Sequence, residues 1–262
     1  MGRLTDTFAR LRAANRGGLV TYVTAGDPDV EASEQILLAL AEGGADVIEV
    51  GVPFSDPLAD GPVIQRASER ALAAGMTLRR TLELVARVRP HIDAPLVLFT
   101  YANPVVRMDP EVFAQAARSA GVDGVLILDF PVEEAEPLRS TLAAAGVDPI
   151  FLISPTTTDD RIRRSSELGG GFLYVISRLG VTGVRDEMAT DAGALVDRVK
   201  RHASLPVALG FGISRPEHVA AACRHADAAV VGSALVNLIA EKGPQEAPGA
   251  VRSYVKWLKS AL

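Results

Sequence analysis

The sequence predicts an α/β protein, a single-domain (β/α)8 TIM barrel over residues 1–262, with extra helices at the N-terminus and after the second strand. Three observations predict it. Short apolar runs recur eight times. Between them lie Ala/Leu/Arg/Glu-rich segments of amphipathic helical period. The phrase Ala-Gly-(Val/Ala)-Asp, or its variant Gly-Gly-Ala-Asp, recurs before strands, ending at Asp46, Asp123 and Asp148. It reads as a helix stop and a turn into the next strand, so the βα unit repeats.

In chain order, the strands fall at 19–24, 47–50, 96–100, 124–128, 149–153, 172–176, 206–210 and 229–231. The helical segments are 30–42, 77–89, 110–120, 137–145, 159–168, 192–201 and 216–223, most stopped by glycine: Gly43-Gly44, Gly121, Gly146 and Gly169. Two segments exceed the minimal repeat: 53–75, a loop plus an extra helix at 63–73, and 177–189, read as a polar loop. Long loops in compact domains tend to be functional, and both follow carboxyl ends of strands, where barrel enzymes keep their sites. Residues 241–248 read as a Pro/Gly-rich connector, and 251–262 as a closing amphipathic helix with Tyr254, Trp257 and Leu258 on one side. An open doubly wound sheet is the alternative. The first turn, Thr24-Ala25-Gly26-Asp27-Pro28, lacks the GxGxxG of its dinucleotide-binding form.

Composition narrows the function. Of 262 residues 48% are hydrophobic, enough for a large core, and the formal net charge is −5. No basic cluster interleaves with aromatics, which argues against nucleic acid; Arg161, Arg163 and Arg164 read as a solvated helix face. The lone Cys223 precludes an intramolecular disulfide and fits a cytoplasmic location; it reads as a small buried or half-buried residue. His91, His202, His218 and His225 show no metal-ligand spacing, so no metal is expected. No signal pattern opens the chain, and no apolar run reaches the roughly 18 residues a membrane span needs.

The stretch Ile48-Glu-Val-Gly-Val-Pro-Phe-Ser-Asp-Pro-Leu-Ala-Asp-Gly-Pro62 carries the chemistry. Strand side chains alternate, so Glu49 shares a face with Val47, opposite Ile48 and Val50. If the latter two pack against helices, Glu49 points into the barrel mouth. A carboxyl there should have a raised pKa and suit proton donation. The alternative is an ion-paired core acid, although no basic residue is near in sequence. Asp60 follows on a loop stiffened by Gly61-Pro62. Glycine-rich turns follow the last three strands: Gly180 to Gly183, Gly210 to Ser214, and Gly232-Ser233 opening a helix. Freed backbone N–H groups and a helix N-terminus favour a phosphate, which barrels often bind after strands seven and eight. The residues therefore indicate a phosphate-anchored small substrate facing paired carboxylates.

Residues 48–62 closely resemble the signature of the tryptophan synthase α-subunit family. Further matches are Thr100-Tyr-Ala-Asn-Pro104, Asp129-Phe-Pro-Val-Glu-Glu134, Ser154-Pro-Thr-Thr157, Tyr174-Val-Ile-Ser-Arg-Leu-Gly-Val-Thr-Gly183 and Gly210-Phe-Gly-Ile213, in order over essentially the whole chain. The resemblance implies retro-aldol cleavage of indole-3-glycerol phosphate to indole and glyceraldehyde 3-phosphate, a carbon–carbon lyase reaction. It places the acid/base glutamate on Glu49 and the acid at the indole N–H on Asp60. It places phosphate contacts on Gly183, Gly212, Gly232 and Ser233, a glycerol-chain contact on Tyr174, and Thr182 on a lid closing over Asp60. The indole pocket falls on Tyr22, Ile64, Phe99 and Leu126. Phe and Leu are common in the family at the positions of Tyr22 and Phe99, so this chain adds a hydroxyl and ring bulk. The implied partner is a pyridoxal-phosphate β subunit in an α2β2 heterotetramer, contacted by Pro53, Phe54, Asp56, Pro57, Asn103 and Pro131, with Phe54 expected to be exposed. This chain itself should need no cofactor. Other readings are a stand-alone lyase that releases indole, a sugar-phosphate isomerase or indole-glycerol-phosphate synthase on the same barrel, and a non-catalytic activator of a β subunit. The absence of lysine from strand interiors opposes the synthase, and retention of both acids opposes the activator.

Overall fold

The computed structural model describes residues 2–177, 185–210 and 212–262, and for 185–191 the backbone alone. Eight parallel strands close in sequence order: β1 (Gly18–Thr24), β2 (Val47–Gly51), β3 (Leu96–Thr100), β4 (Gly124–Ile127), β5 (Asp148–Ile153), β6 (Leu173–Ile176), β7 (Val207–Gly210) and β8 (Ala228–Val231), with β8 pairing back onto β1. The helices are α1 (Arg3–Ala13), α2 (Val30–Gly43), α3 (Pro62–Ala73), α4 (Leu78–Val88), α5 (Ala102–Met108), α6 (Pro110–Ala120), α7 (Glu136–Ala144), α8 (Asp159–Leu168), α9 (Arg185–His202), α10 (Pro216–Cys223) and α11 (Ser233–Lys259). Strand length and alternation with amphipathic helices thus yield the closed barrel that the sequence predicts.

Side-chain parity sorts the core into two layers. Outward residues such as Leu19, Ile48, Val50, Leu96 and Leu98 join helix residues including Leu37, Leu40, Leu84 and Val85 in the outer cluster. Inward residues Val20, Val47, Val97, Leu126, Ile150, Phe172, Tyr174, Ala208, Ala228 and Val230 form the inner one. The extra N-terminal helix joins this inner layer through Leu4, Phe8 and Leu11, with the Phe8 and Phe172 rings 5.5 Å apart. Burying each such side chain contributes roughly 1.5–3 kcal/mol. Helix α1 therefore closes the amino-terminal mouth and leaves the carboxyl-terminal mouth for a site.

The Asp of the repeated turn does more than turn the chain. Asp46 accepts from Leu19 N–H at 2.8 Å, and Asp123 accepts from Leu96 N–H at 2.9 Å. Asp227, at the matching point before β8, accepts from Val207 N–H at 2.9 Å. Each carboxylate ties its own strand to the start of an earlier one. Helices α2 and α6 end, as expected, in left-handed Gly44 and Gly121, whereas Gly169 after α8 is extended.

Three segments differ from expectation. Residues 241–248 belong to α11, which is broken only at Gly243 (φ 69°). Pro244 then stands where a restarted helix needs no N–H, so the proline marks a start rather than a connector. Of the polar loop expected over 177–189, residues 185–189 belong to α9, and 178–184 lie outside the described residues. Helix α5 follows β3 directly, in a stretch given no element by periodicity.

A candidate active site at the carboxyl ends of the strands

Glu49 is fully buried on the inward face of β2, while Ile48 and Val50 face the helices. Neither Glu49 carboxyl oxygen has a hydrogen-bond partner among the described residues, so the ion-paired reading does not hold. Burial pushes its pKa from 4.5 up to about 8. At neutral pH the side chain is therefore a neutral acid, able to give up a proton.

Asp60 sits on the loop after β2. Its carboxylate accepts a hydrogen bond from the Tyr101 hydroxyl at 3.0 Å, and the same oxygen of Tyr101 accepts from Ala59 N–H at 3.1 Å. Gln65 Nε2 donates to the Asp60 carbonyl at 2.9 Å, which fixes the loop against α3. Burial raises the Asp60 pKa to about 6, and the Tyr101 hydrogen bond restrains that rise. The two acids thus differ at neutral pH: Glu49 holds its proton and Asp60 is mostly ionised.

Aromatic rings wall the space beside Glu49. Tyr22 is its register partner on β1. The Tyr22 ring meets Phe99 edge-on at 5.1 Å, and Phe99 lies 6.1 Å from Tyr174. Ile64 shares a small cluster with Tyr22, and Leu126 lies in the barrel interior paired with Phe99. The Tyr22 hydroxyl makes only a long contact, 3.4 Å, to Thr24 Oγ1. A Cβ at Gly51 would collide with that hydroxyl, and one at Gly210 would lie 2.9 Å from the Tyr174 oxygen. Both tyrosine tips occupy room left by a strand-end glycine.

The glycine-rich turns converge because β7 and β8 are neighbours. Gly212 has φ 45°, and a Cβ there would meet nothing within 4 Å. Gly232 is the N-cap residue of α11 and Ser233 its first residue, with no side chain capping that end. Such a terminus presents free N–H groups and suits an anion. Thr182, Gly183 and most of the expected lid lie outside the described residues.

The expected partner edge is brought together on the loops after β2 and β4 and the start of α5, with one correction. Asp56, Asn103 and Pro131 are exposed and Pro57 half-exposed, but Pro53 is buried and Phe54 half-buried. Phe54 packs on Tyr101 with ring centroids 5.0 Å apart. The two rings cover one another, and the large hydrophobic side chain that the loop exposes is Leu58, at 95%. A groove of about 320 Å³ between α5 and α7, lined by Val105, Val106, Phe130 and Leu138, continues from this edge.

Sequence reasoning missed Tyr101, although it stands inside the matched Thr100–Pro104 motif. Its position just past a strand end, beside an acid-bearing loop, is the available signal. It also missed Asp27, buried on the first loop and held by Arg70 of α3 at 2.7 and 2.9 Å. No group of three or more His, Cys, Asp and Glu side chains able to hold a metal occurs among the described residues.

The model of the family described as tryptophan synthase alpha chain matches residues 8–261. The chain belongs to that family. The tryptophan synthase alpha chain of Burkholderia thailandensis is 49% identical over 100% of this chain and 97% of its own length. That of Paraburkholderia phymatum is 47% identical over the same shares. Among solved structures, tryptophan synthase subunit alpha from Legionella pneumophila superposes with a TM-score of 0.93 at 36% identity, covering 100% of this chain and 98% of the other. A Mycobacterium tuberculosis tryptophan synthase chain gives 0.90 at 37% identity, over 99% and 98%.

Proposed function

We propose that this chain cleaves indole-3-glycerol phosphate to indole and glyceraldehyde 3-phosphate, as the α subunit that supplies indole to a β subunit for L-tryptophan synthesis. The observation that carries the proposal is Glu49: a fully buried carboxyl with no hydrogen-bond partner among the described residues, held neutral beside an aromatic wall, in a member of this family. Neutral Glu49 protonates indole C3. Ionised Asp60 accepts the indole N–H and stabilises the positive charge that develops on the ring. The Glu49 carboxylate then takes the proton of the adjacent glycerol hydroxyl. The C–C bond breaks, its electron pair returns to the ring, and an aldehyde forms at the former carbinol carbon. The protonated ring is the electron sink, so the reading assigns no cofactor to this chain.

Tyr174 contacts the glycerol chain, and Tyr22, Ile64, Phe99 and Leu126 surround the indole. Gly212, Gly232, Ser233 and Gly183 hold the phosphate, and Thr182 closes with the lid onto Asp60. The whole chain, 1–262, acts as one domain. The partner is a pyridoxal-phosphate β subunit in an α2β2 heterotetramer, docking on Phe54, Asp56, Pro57, Asn103 and Pro131, with buried Pro53 stiffening the edge. The exposed Leu58 supports that edge. The relatives' own names, alpha chain, favour the subunit over a stand-alone lyase. No helix of the described residues is long and apolar enough to cross a membrane. Together with the lone cysteine, this supports a cytoplasmic setting. An indole-release assay with and without a tryptophan synthase β subunit tests the proposal. Slow release that rises strongly on mixing is expected; no release from indole-3-glycerol phosphate under either condition overturns it.

A further inference from the structure

The loop after β7 is bare at its tip and anchored behind it. Gly212 has open space around it, whereas the next residue, Ile213, is buried in the outer core. Both peptide groups of Ser214 are taken by side chains from other elements. The Tyr254 hydroxyl, on α11 beyond its kink, donates to the Ser214 carbonyl at 2.7 Å. The Ser214 N–H donates to His218 Nδ1 of α10 at 3.4 Å. Among the described residues, Ser214 makes no backbone–backbone hydrogen bond, so these side chains replace the ladder that the loop lacks. The Trp257 ring lies beside that of Tyr254, with centroids 5.7 Å apart, and takes no part in the hydrogen bond.

We propose that Tyr254 is a positioning residue for the phosphate loop: through the Ser214 carbonyl it holds the Gly212 backbone in the conformation that meets the substrate's phosphate. The proposal rests on the phosphate placement given above. A left-handed glycine at a loop tip serves an anion well only if it does not have to be ordered on binding. A tether from the closing helix supplies that order without entering the site. Losing one such hydrogen bond should cost about fivefold in phosphate affinity.

The test uses the full chain with its β partner, varying indole-3-glycerol phosphate and adding inorganic phosphate as a competitive inhibitor. For Tyr254→Phe, KM and the inhibition constant of phosphate should both rise by about fivefold while kcat stays within about twofold. Trp257→Ala, which removes the neighbouring ring but not the tether, should move neither constant. His218→Ala removes the weaker tether and should shift both in the same direction by less, so a folding failure of Tyr254→Phe leaves the idea testable. Unchanged KM and phosphate inhibition in a folded Tyr254→Phe overturn the tether. Absence of competitive inhibition by phosphate in the unmodified chain overturns the phosphate placement itself, and the tether with it.

Discussion

At the amino-terminal mouth of the barrel, Asp46, Asp123 and Asp227 each accept a backbone N–H, and each meets a cation as well. Asp46 meets Arg16 and Lys259, Asp123 meets Arg3 and Arg89 at 3.1 Å, and Asp227 meets Lys200 at 3.2 Å. At the carboxyl-terminal mouth, Glu49 has no partner among the described residues, and Asp60 has a phenol in place of a cation. The same chemical group is used in two ways. Carboxylates met by N–H groups and by cations join strands. A carboxyl stripped of water and given nothing in return keeps its proton. The first arrangement builds stability and the second stores reactivity, in line with the usual division between the faces of a barrel.

The contrast can be broken from either end. The largest effect is expected for Glu49→Gln, which keeps the shape but has no proton to give. Steady-state cleavage should fall about 10²–10⁴-fold while phosphate inhibition is retained. The same variant should be more stable than the parent. The folded state of the parent holds the Glu49 proton over the window from 4.5 to about 8, so its stability falls as pH rises through that window. The advantage of Glu49→Gln in urea melts should grow across this range and vanish below it. At the other mouth, Asp123→Ala takes the carboxylate from half-buried Arg89, which keeps only its bond to the Ala94 carbonyl, and from the Leu96 N–H. It should cost about 3 kcal/mol in a urea melt, with kcat of the folded fraction nearly unchanged.

A smaller effect sharpens the account of Asp60. The Tyr101 hydroxyl lowers the Asp60 pKa against burial. In Tyr101→Phe the acid limb of the pH–rate profile, set by Asp60 near 6, should move upward, with the alkaline limb near 8 unmoved. The smallest effect belongs to Tyr22→Phe. The 3.4 Å contact to Thr24 is too long to contribute much. The kcat should change by less than about twofold, measured with the unsubstituted substrate.

Much of the site was legible because strand parity is a strong rule. Val47, Glu49 and Val50 alone indicate which way the acid points once one neighbour is assigned to the helices. The barrel followed from repetition, and the turns after β7 and β8 from glycine at successive strand ends. What escaped depends on contacts between distant segments. Nothing near Tyr101 in sequence says that it reaches Asp60, 41 residues away. Phe54 looks exposed between Pro53 and Ser55, and only the fold brings Tyr101 beneath it. The 241–248 stretch was misread because Pro and Gly punctuate helix starts as well as connectors, and a single kink at Gly243 serves for a break. Asp46 and Asp123 read correctly as turn residues, but their N–H partners belong to earlier strands, and Asp227, which makes the same bond, lies outside the repeated phrase.

The contrast between the two mouths depends most on the charge of one buried group. Infrared difference spectroscopy of the chain against Glu49→Gln, through a pH titration, reads that group directly. The account predicts the carbonyl band of a neutral carboxylic acid at pH near 7, replaced by carboxylate bands with a midpoint of about 8. Carboxylate bands already complete at pH near 6 would contradict it, because Glu49 would then have no proton to give.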